Sequence, residues 1–266
     1  MLSLTINRAA LRSAIVSRQF AAASASSVRF ASTKTLQDAV AEIVPAKREQ
    51  IAKLKAEHAE TKLGDCQVGH ILGGMRGLKC MLWEGSVLDA ETGITFHGLS
   101  IPECAKVLPK ASDIGRPGSE MLPESMLWLL LTGKAPTVEE VKGLSSDLIA
   151  RAQLPEYLIK IIDSFPKTLH PMTQFSIATA ALNHDSKFAA AYSQGIKKTE
   201  YWVPTLEDSL NLIAKLPSVA ARIYYNVYGK GDATQKINPE MDLIENFSHQ
   251  LGFGSSEGLT DYLRLL

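Results

Sequence analysis

The chain has 266 residues, 45% of them hydrophobic, with 28 basic and 28 acidic side chains and so no formal net charge. That length buries a sizeable core in one large domain or two smaller ones, and the charge balance supplies no global field for nucleic acid. The cysteines Cys66, Cys80 and Cys104 form neither a CxxC pair nor an even set, and no apolar run is long enough to span a bilayer, which argues against a disulfide framework, a zinc site and a membrane anchor.

The first acidic residue is Asp38. Ahead of it stand Arg8, Arg12, Arg18, Arg29 and Lys34 among many serines and alanines. Leu4, Leu11 and Ile15 can share one helix face, while Arg12 and Arg18 interrupt the apolar run that a secretory signal needs. A basic, serine-rich, acid-free amphipathic start is the pattern of a mitochondrial presequence. Residues 1–30 are read as that segment, addressed to the matrix, with "VRF" before "AST" placing the cut after Phe30.

From Thr35 the pattern is mostly helical. "TLQDAVAEIV" and "PAKREQIAKLKAEHAE" read as two segments, with Pro45 in the first turn of the second. "KCMLWEGSVLD-AETG-ITFHG" breaks the helical rule: two short β-favouring runs flank a glycine-containing turn, which predicts a β-hairpin. Leu122 to Leu131 is apolar nearly all round, predicting a buried helix with Gly133 just past its end. "TVEE" at Thr137 to Glu140 is a capping box, followed by Val141, Leu144 and Leu148 on one face. Pro155 and Pro171 each sit where a helix would begin, and His170 before Pro171 fits a helix start. Thr205 opens a long pattern through Leu210, Ile213, Ile223 and Val227 that Pro217 should kink or split. Asn238-Pro239 opens another, ended by Gly252. In "SEGLTDYLRLL", Leu259, Tyr262, Leu263 and Leu266 share a helix face behind an N-cap at Ser255 or Ser256.

Local motifs are sparse. "GGMRGLK" sets Arg76 and Lys79 beside three glycines, where backbone can approach a ligand and a guanidinium can fork onto phosphate. It is neither a P-loop nor a dinucleotide fingerprint, and the local pattern alone favours a helix end leading into the hairpin. "IKKTEYW" puts Lys197 and Lys198 beside aromatics, as an anion site or a solvated turn. His58, His70, His97, His170, His184 and His249 show no metal-ligand spacing, so no metal site is expected.

Four longer segments carry more. "GGMRGLKCMLWEGSVLDAETGITFHGLSIPE", "LPESMLWLLLTGKAPT", "LHPMTQFSIATAALNHDSKFAAAYSQGI" and "YWVPTLEDSLNLIAKLPSVAARIYYNVY" together resemble the eukaryotic, mitochondrial type of citrate synthase, in that family's order. "MLWEGSVLD", "EMLPE" and "HPMTQ" resemble the fungal 2-methylcitrate synthases within it. The resemblance implies a mainly-α fold with one small β-hairpin, residues 31–266 forming the N-terminal part of the large domain, and a homodimer. It implies condensation of acetyl-CoA or propionyl-CoA with oxaloacetate, with acyl-CoA entering as a substrate and no cofactor held. By the same resemblance Arg76 matches an arginine that meets CoA phosphate. Lys198 stands where animal members carry another CoA-facing arginine. The family's catalytic histidines and aspartate fall beyond residue 266, so no catalytic residue is assigned and this chain is expected to be inactive alone. The competing expectation is a non-catalytic helical protein that serves only as a dimerisation partner.

Overall fold

The computed structural model describes residues 34–62, 64–72, 85–89, 91–229, 236–254 and 256–266. The presequence expected at 1–30 and the glycine-rich motif holding Arg76 lie outside the described residues. Those described fold as eleven α-helices and one three-stranded antiparallel sheet, the mainly-α class expected.

The first helix, α1 (Leu36–His58), is started by Thr35, whose hydroxyl accepts from the Asp38 N–H at 3.1 Å while Asp38 Oδ2 accepts from the Thr35 N–H at 3.2 Å. Pro45 lies inside it, so the two expected segments are one helix. A proline inside a helix costs one backbone bond and some strain. Here the buried first turn, Leu36 and Ala39 against Trp128, Leu144 and Leu210, anchors the element.

After the short α2 (Val68–Leu72) come β1 (Ser86–Asp89) and β2 (Gly93–Phe96), paired with Ser86 opposite Phe96 and Asp89 opposite Gly93. Asp89 Oδ1 accepts from the N–H groups of Glu91 and Thr92, both at 2.9 Å, and closes the expected hairpin. A third strand, β3 (Leu99–Ser100), adds to β2 and leads into α3 (Ile101–Val107). Phe96 and Leu99 pack with Cys104 and Leu108 of that segment and Leu129 of α4 (Pro123–Thr132).

Gly133, at φ +71°, ends α4 as expected, its N–H donating to Leu129. The all-round burial expected of this helix is not found. Glu124, Ser125, Trp128 and Leu129 face inward while Leu130 and Leu131 are exposed. The capping box at Thr137 starts α5 (Val138–Arg151), and Val141, Leu144 and Leu148 are buried as the spacing predicts. α6 (Glu156–Asp163) starts behind Pro155, and α7 (Pro171–Ala181) behind His170, whose Nδ1 accepts from the Met172 N–H at 3.2 Å. α8 (Lys187–Ser193) follows.

The long α9 (Trp202–Tyr228) is the spine of the unit that runs from Lys34 to Leu266. Leu210 and Ala214 enter one apolar cluster, with Leu144, Leu148 and Trp128; Val219 and Ile223 enter a second, with Leu158, Ile162 and Ala178. Pro217 sits between the two, and the helix passes through it without the expected split. Burial of Leu210, Val219 and Ile223 supplies on the order of 5–9 kcal/mol, against about 3 kcal/mol for an interior proline. α10 (Leu243–Gln250) begins after Asp242 and not at Asn238-Pro239, which instead forms a turn in which Asn238 Oδ1 accepts from the Glu240 N–H. α11 (Glu257–Leu265) starts at Ser256.

Candidate functional site

Lys198, the described residue of the two expected CoA contacts, opens a single 3-10 turn (Lys198–Glu200) between α8 and α9. Backbone bonds hold the turn: the Glu200 N–H donates to Lys197 at 2.8 Å and the Tyr201 N–H to Lys198 at 3.4 Å. Beneath it Phe188 meets Tyr201 edge-on at 5.2 Å, and Tyr192 lies 6.0 Å and 6.1 Å from those two rings. Such rings gain from mutual contact and stiffen a short connection. Lys197 and Lys198 are both exposed on that base. The result is a rigid platform with two cations in water, suited to an anionic group and to no proton transfer by itself.

A second charged constellation is buried. Arg264, on α11, has a side chain with no solvent exposure. Its Nη2 donates to Asp242 Oδ2, and its Nη1 donates to Asp261 Oδ1 and to the Pro117 carbonyl, each at 2.7 Å. Asp261 Oδ2 accepts from the Ser119 N–H at 2.8 Å. Asp242 Oδ1 accepts from the N–H groups of Ile244 and Glu245, capping α10, and Glu245 Oε2 accepts from the Asp242 N–H at 2.8 Å. That same Glu245 oxygen lies 3.9 Å from Arg264 and 4.0 Å from Arg116. Burial pulls the Arg264 pKa down, but Asp242, Asp261 and Glu245 outweigh it and hold the group above its usual range.

Glu124 of α4 completes this cluster. It is 2% exposed, and its Oε1 accepts from the Ser145 hydroxyl at 3.2 Å while Oε2 has no partner. Burial first, and then the Asp242 carboxylate, push its pKa up to about 7. Four acids thus surround two guanidinium groups, and the proton on Glu124 relieves the excess. The cluster joins α4, α10, α11 and the 116–119 loop; it holds structure and presents no nucleophile.

The spacing of Leu259, Tyr262, Leu263 and Leu266 on one face of the last helix gives no sign of this cluster. The structure buries Thr260 and Arg264 and leaves Tyr262 and Leu266 exposed. Asp242 ahead of Glu245 is itself a legible capping signature. The histidines play local parts: His97 Nε2 lies 3.2 Å from the Leu130 carbonyl and His184 packs edge-on to Tyr157. Among the described residues no group of His, Cys, Asp and Glu converges to hold a metal ion.

The helix order, with the small sheet set against α3 and α4, defines a mainly-α fold of the citrate synthase type. The citrate synthase crystal structure from Pyrobaculum aerophilum superimposes with a TM-score of 0.56 at 23% identity, over 73% of this chain and 46% of that one. The family model described as "Citrate synthase, C-terminal domain" matches residues 74–266, and the chain belongs to the citrate synthase family. It is 52% identical over 233 residues to the mitochondrial 2-methylcitrate synthase of Gibberella moniliformis, covering 86% of this chain and 48% of that protein. It is 50% identical over 235 residues to the mitochondrial citrate synthase of Saccharomyces cerevisiae, covering 88% and 48%. Against the mitochondrial citrate synthase of Neurospora crassa it is 46% identical over 264 residues, covering 98% and 55%. The chain spans about half the length of the curated relatives it matches.

Proposed function

We propose that these residues form the N-terminal part of a mitochondrial acyltransferase that condenses acetyl-CoA or propionyl-CoA with oxaloacetate, giving citrate or 2-methylcitrate. The observation that carries this is the 52% identity to a 2-methylcitrate synthase across 86% of the chain. A thioester α-carbon is a very weak acid, so the reaction needs a carboxylate base, a donor at the thioester oxygen and another at the ketone. Within this chain the parts assigned to that chemistry are binding groups. Arg76 and Lys198 meet CoA phosphates, Lys198 as a point charge on its aromatic platform and Arg76 as a fork. The catalytic histidines and aspartate fall outside residues 1–266, so the 266-residue chain on its own turns nothing over.

Residues 1–30 act as the import segment in this proposal, and the mitochondrial names of the relatives support a matrix destination. The homodimer is supported by α7, which leaves the apolar side chains of Met172 and Ile177 exposed. The test is release of CoA thiol from acetyl-CoA and from propionyl-CoA with oxaloacetate. It compares the 266-residue chain with one completed by the C-terminal half of the Gibberella moniliformis relative. Turnover by the completed chain alone is expected; its inactivity with both thioesters would sink the proposal.

A further inference from the structure

Lys215, in the middle of α9, lines a cavity of about 210 Å³ together with Thr179, Asn183, Asp185, Asp208 and Asn211. The polar groups around it are spent to very different degrees. Asp208 accepts from the Ser186 hydroxyl and from the N–H groups of Lys187 and Phe188, at 2.7 to 2.9 Å, so its charge is already held. The Asn211 carbonyl accepts from Arg151 Nη1 at 2.9 Å, leaving its amide N–H groups unspent. Thr179 Oγ1 is buried with no partner. Asp185 Oδ2 accepts from the Tyr157 hydroxyl at 2.9 Å, and its carboxylate is the acid whose field reaches Lys215. The Lys215 ammonium itself makes no hydrogen bond or ion pair with any described residue.

Ammonium groups are strongly hydrated, and one half-removed from water without a partner favours its free-base form. Burial lowers the Lys215 pKa, and Arg151 and Lys187 act in the same sense while Asp185 opposes them. The free amine is a nucleophile, and desolvation beside other cations is a known way to activate one.

We propose that Lys215 is an acyl-acceptor site: its amine takes an acyl group from a thioester that reaches into the cavity. Only the identity of the cellular donor, an acyl-CoA, rests on the function proposed above. In the step, the Nζ lone pair attacks the thioester carbonyl carbon and the C–N bond forms. The nitrogen gives up a proton to solvent in the open cavity. The C–S bond then breaks and the thiolate leaves, so that amine and thioester become amide and thiol with no redox change. The Asn211 side-chain amide, which lines the same cavity, is the donor for the tetrahedral oxyanion. The product replaces a cation of α9 with a neutral amide.

The test incubates the 266-residue protein with acetyl-CoA and, separately, with the S-acetyl thioester of N-acetylcysteamine, and maps acetylated lysines by peptide mass spectrometry over time. The small thioester carries no CoA recognition, so a failure of the condensation chemistry leaves this result intact. Lys215 is expected to acylate on the order of tenfold faster than the exposed Lys160, because its base form is favoured inside the cavity. The advantage is expected to vanish in guanidinium chloride, and Asp185→Asn, which removes the acid that favours the charged amine, is expected to speed Lys215 and leave Lys160 unchanged. Labelling of Lys215 no faster than that of Lys160 with the small thioester would overturn the proposal. So would an advantage that survives unfolding.

Discussion

Glu124 is the residue whose chemistry can be followed most directly in the stability of the protein. Its carboxyl is buried, only one of its oxygens has a partner, and its pKa is raised from 4.5 to about 7. The folded state therefore holds a proton that the unfolded chain releases, and stability falls as pH rises from the unfolded value through the folded one. A rise of that size corresponds to roughly 3 kcal/mol, present in full below about pH 4.5 and gone above about pH 7. Glu245, also raised, first by burial, adds a loss of the same sign. Glu124→Gln keeps the acceptor for Ser145 and removes the ionisation. Urea denaturation at several pH values between about 5 and about 8 should show a declining midpoint for the parent chain and a flatter one for the variant, with the variant ahead at the alkaline end by up to about 3 kcal/mol. Parallel slopes for the two proteins would refute the reasoning, because they would mean that Glu124 is already ionised or already hydrated in the fold.

Arg264→Met should destabilise by about 3–5 kcal/mol, since it strands Asp242 and Asp261 without their cation; equilibrium denaturation measures it. Gly118→Ala should be strongly destabilising too, because φ there is +112° and the added Cβ would collide with Asp261 Oδ1 and Arg264 Nη1; a loss below about 0.5 kcal/mol would show that the loop is free to move. Thr137→Ala removes the hydroxyl that accepts from Glu140 N–H and should cost about 1 kcal/mol. In the completed enzyme, Lys198→Ala should raise KM for the acyl-CoA a few-fold and leave kcat in place, as an exposed phosphate contact is worth under about 1 kcal/mol.

Much of the fold could be read from short-range chemistry. The capping box at Thr137, the stop at Gly133, the hairpin around Asp89 and the helix start at His170-Pro171 depend on neighbours in the chain, and each stands where the sequence placed it. The prolines were misread for the opposite reason. Pro45 and Pro217 break helices by local rules, yet α1 and α9 run through them because packing on distant partners outweighs the lost bond. The cluster around Arg264 was invisible on the same ground. Its links to Pro117 and from Asp261 to Ser119 cross more than a hundred residues, and no periodicity announces a buried guanidinium on a helix whose Leu259 and Leu263 are only half-buried. Of the candidate site, the cations of "IKKTEYW" were legible as a pattern. The aromatic platform that fixes Lys198 required the pairing of Phe188 and Tyr192 with Tyr201.

The condensation proposed above joins an acyl-CoA to oxaloacetate through a carbon–carbon bond. It is tested most directly by mass spectrometry of the products formed from oxaloacetate with acetyl-CoA and with propionyl-CoA by the chain completed with its C-terminal half. The account predicts citrate from the first, 2-methylcitrate from the second, one free CoA for each, and neither product from the 266 residues alone. Thioester hydrolysis without either tricarboxylate would contradict it, as would condensation by the 266-residue chain unaided.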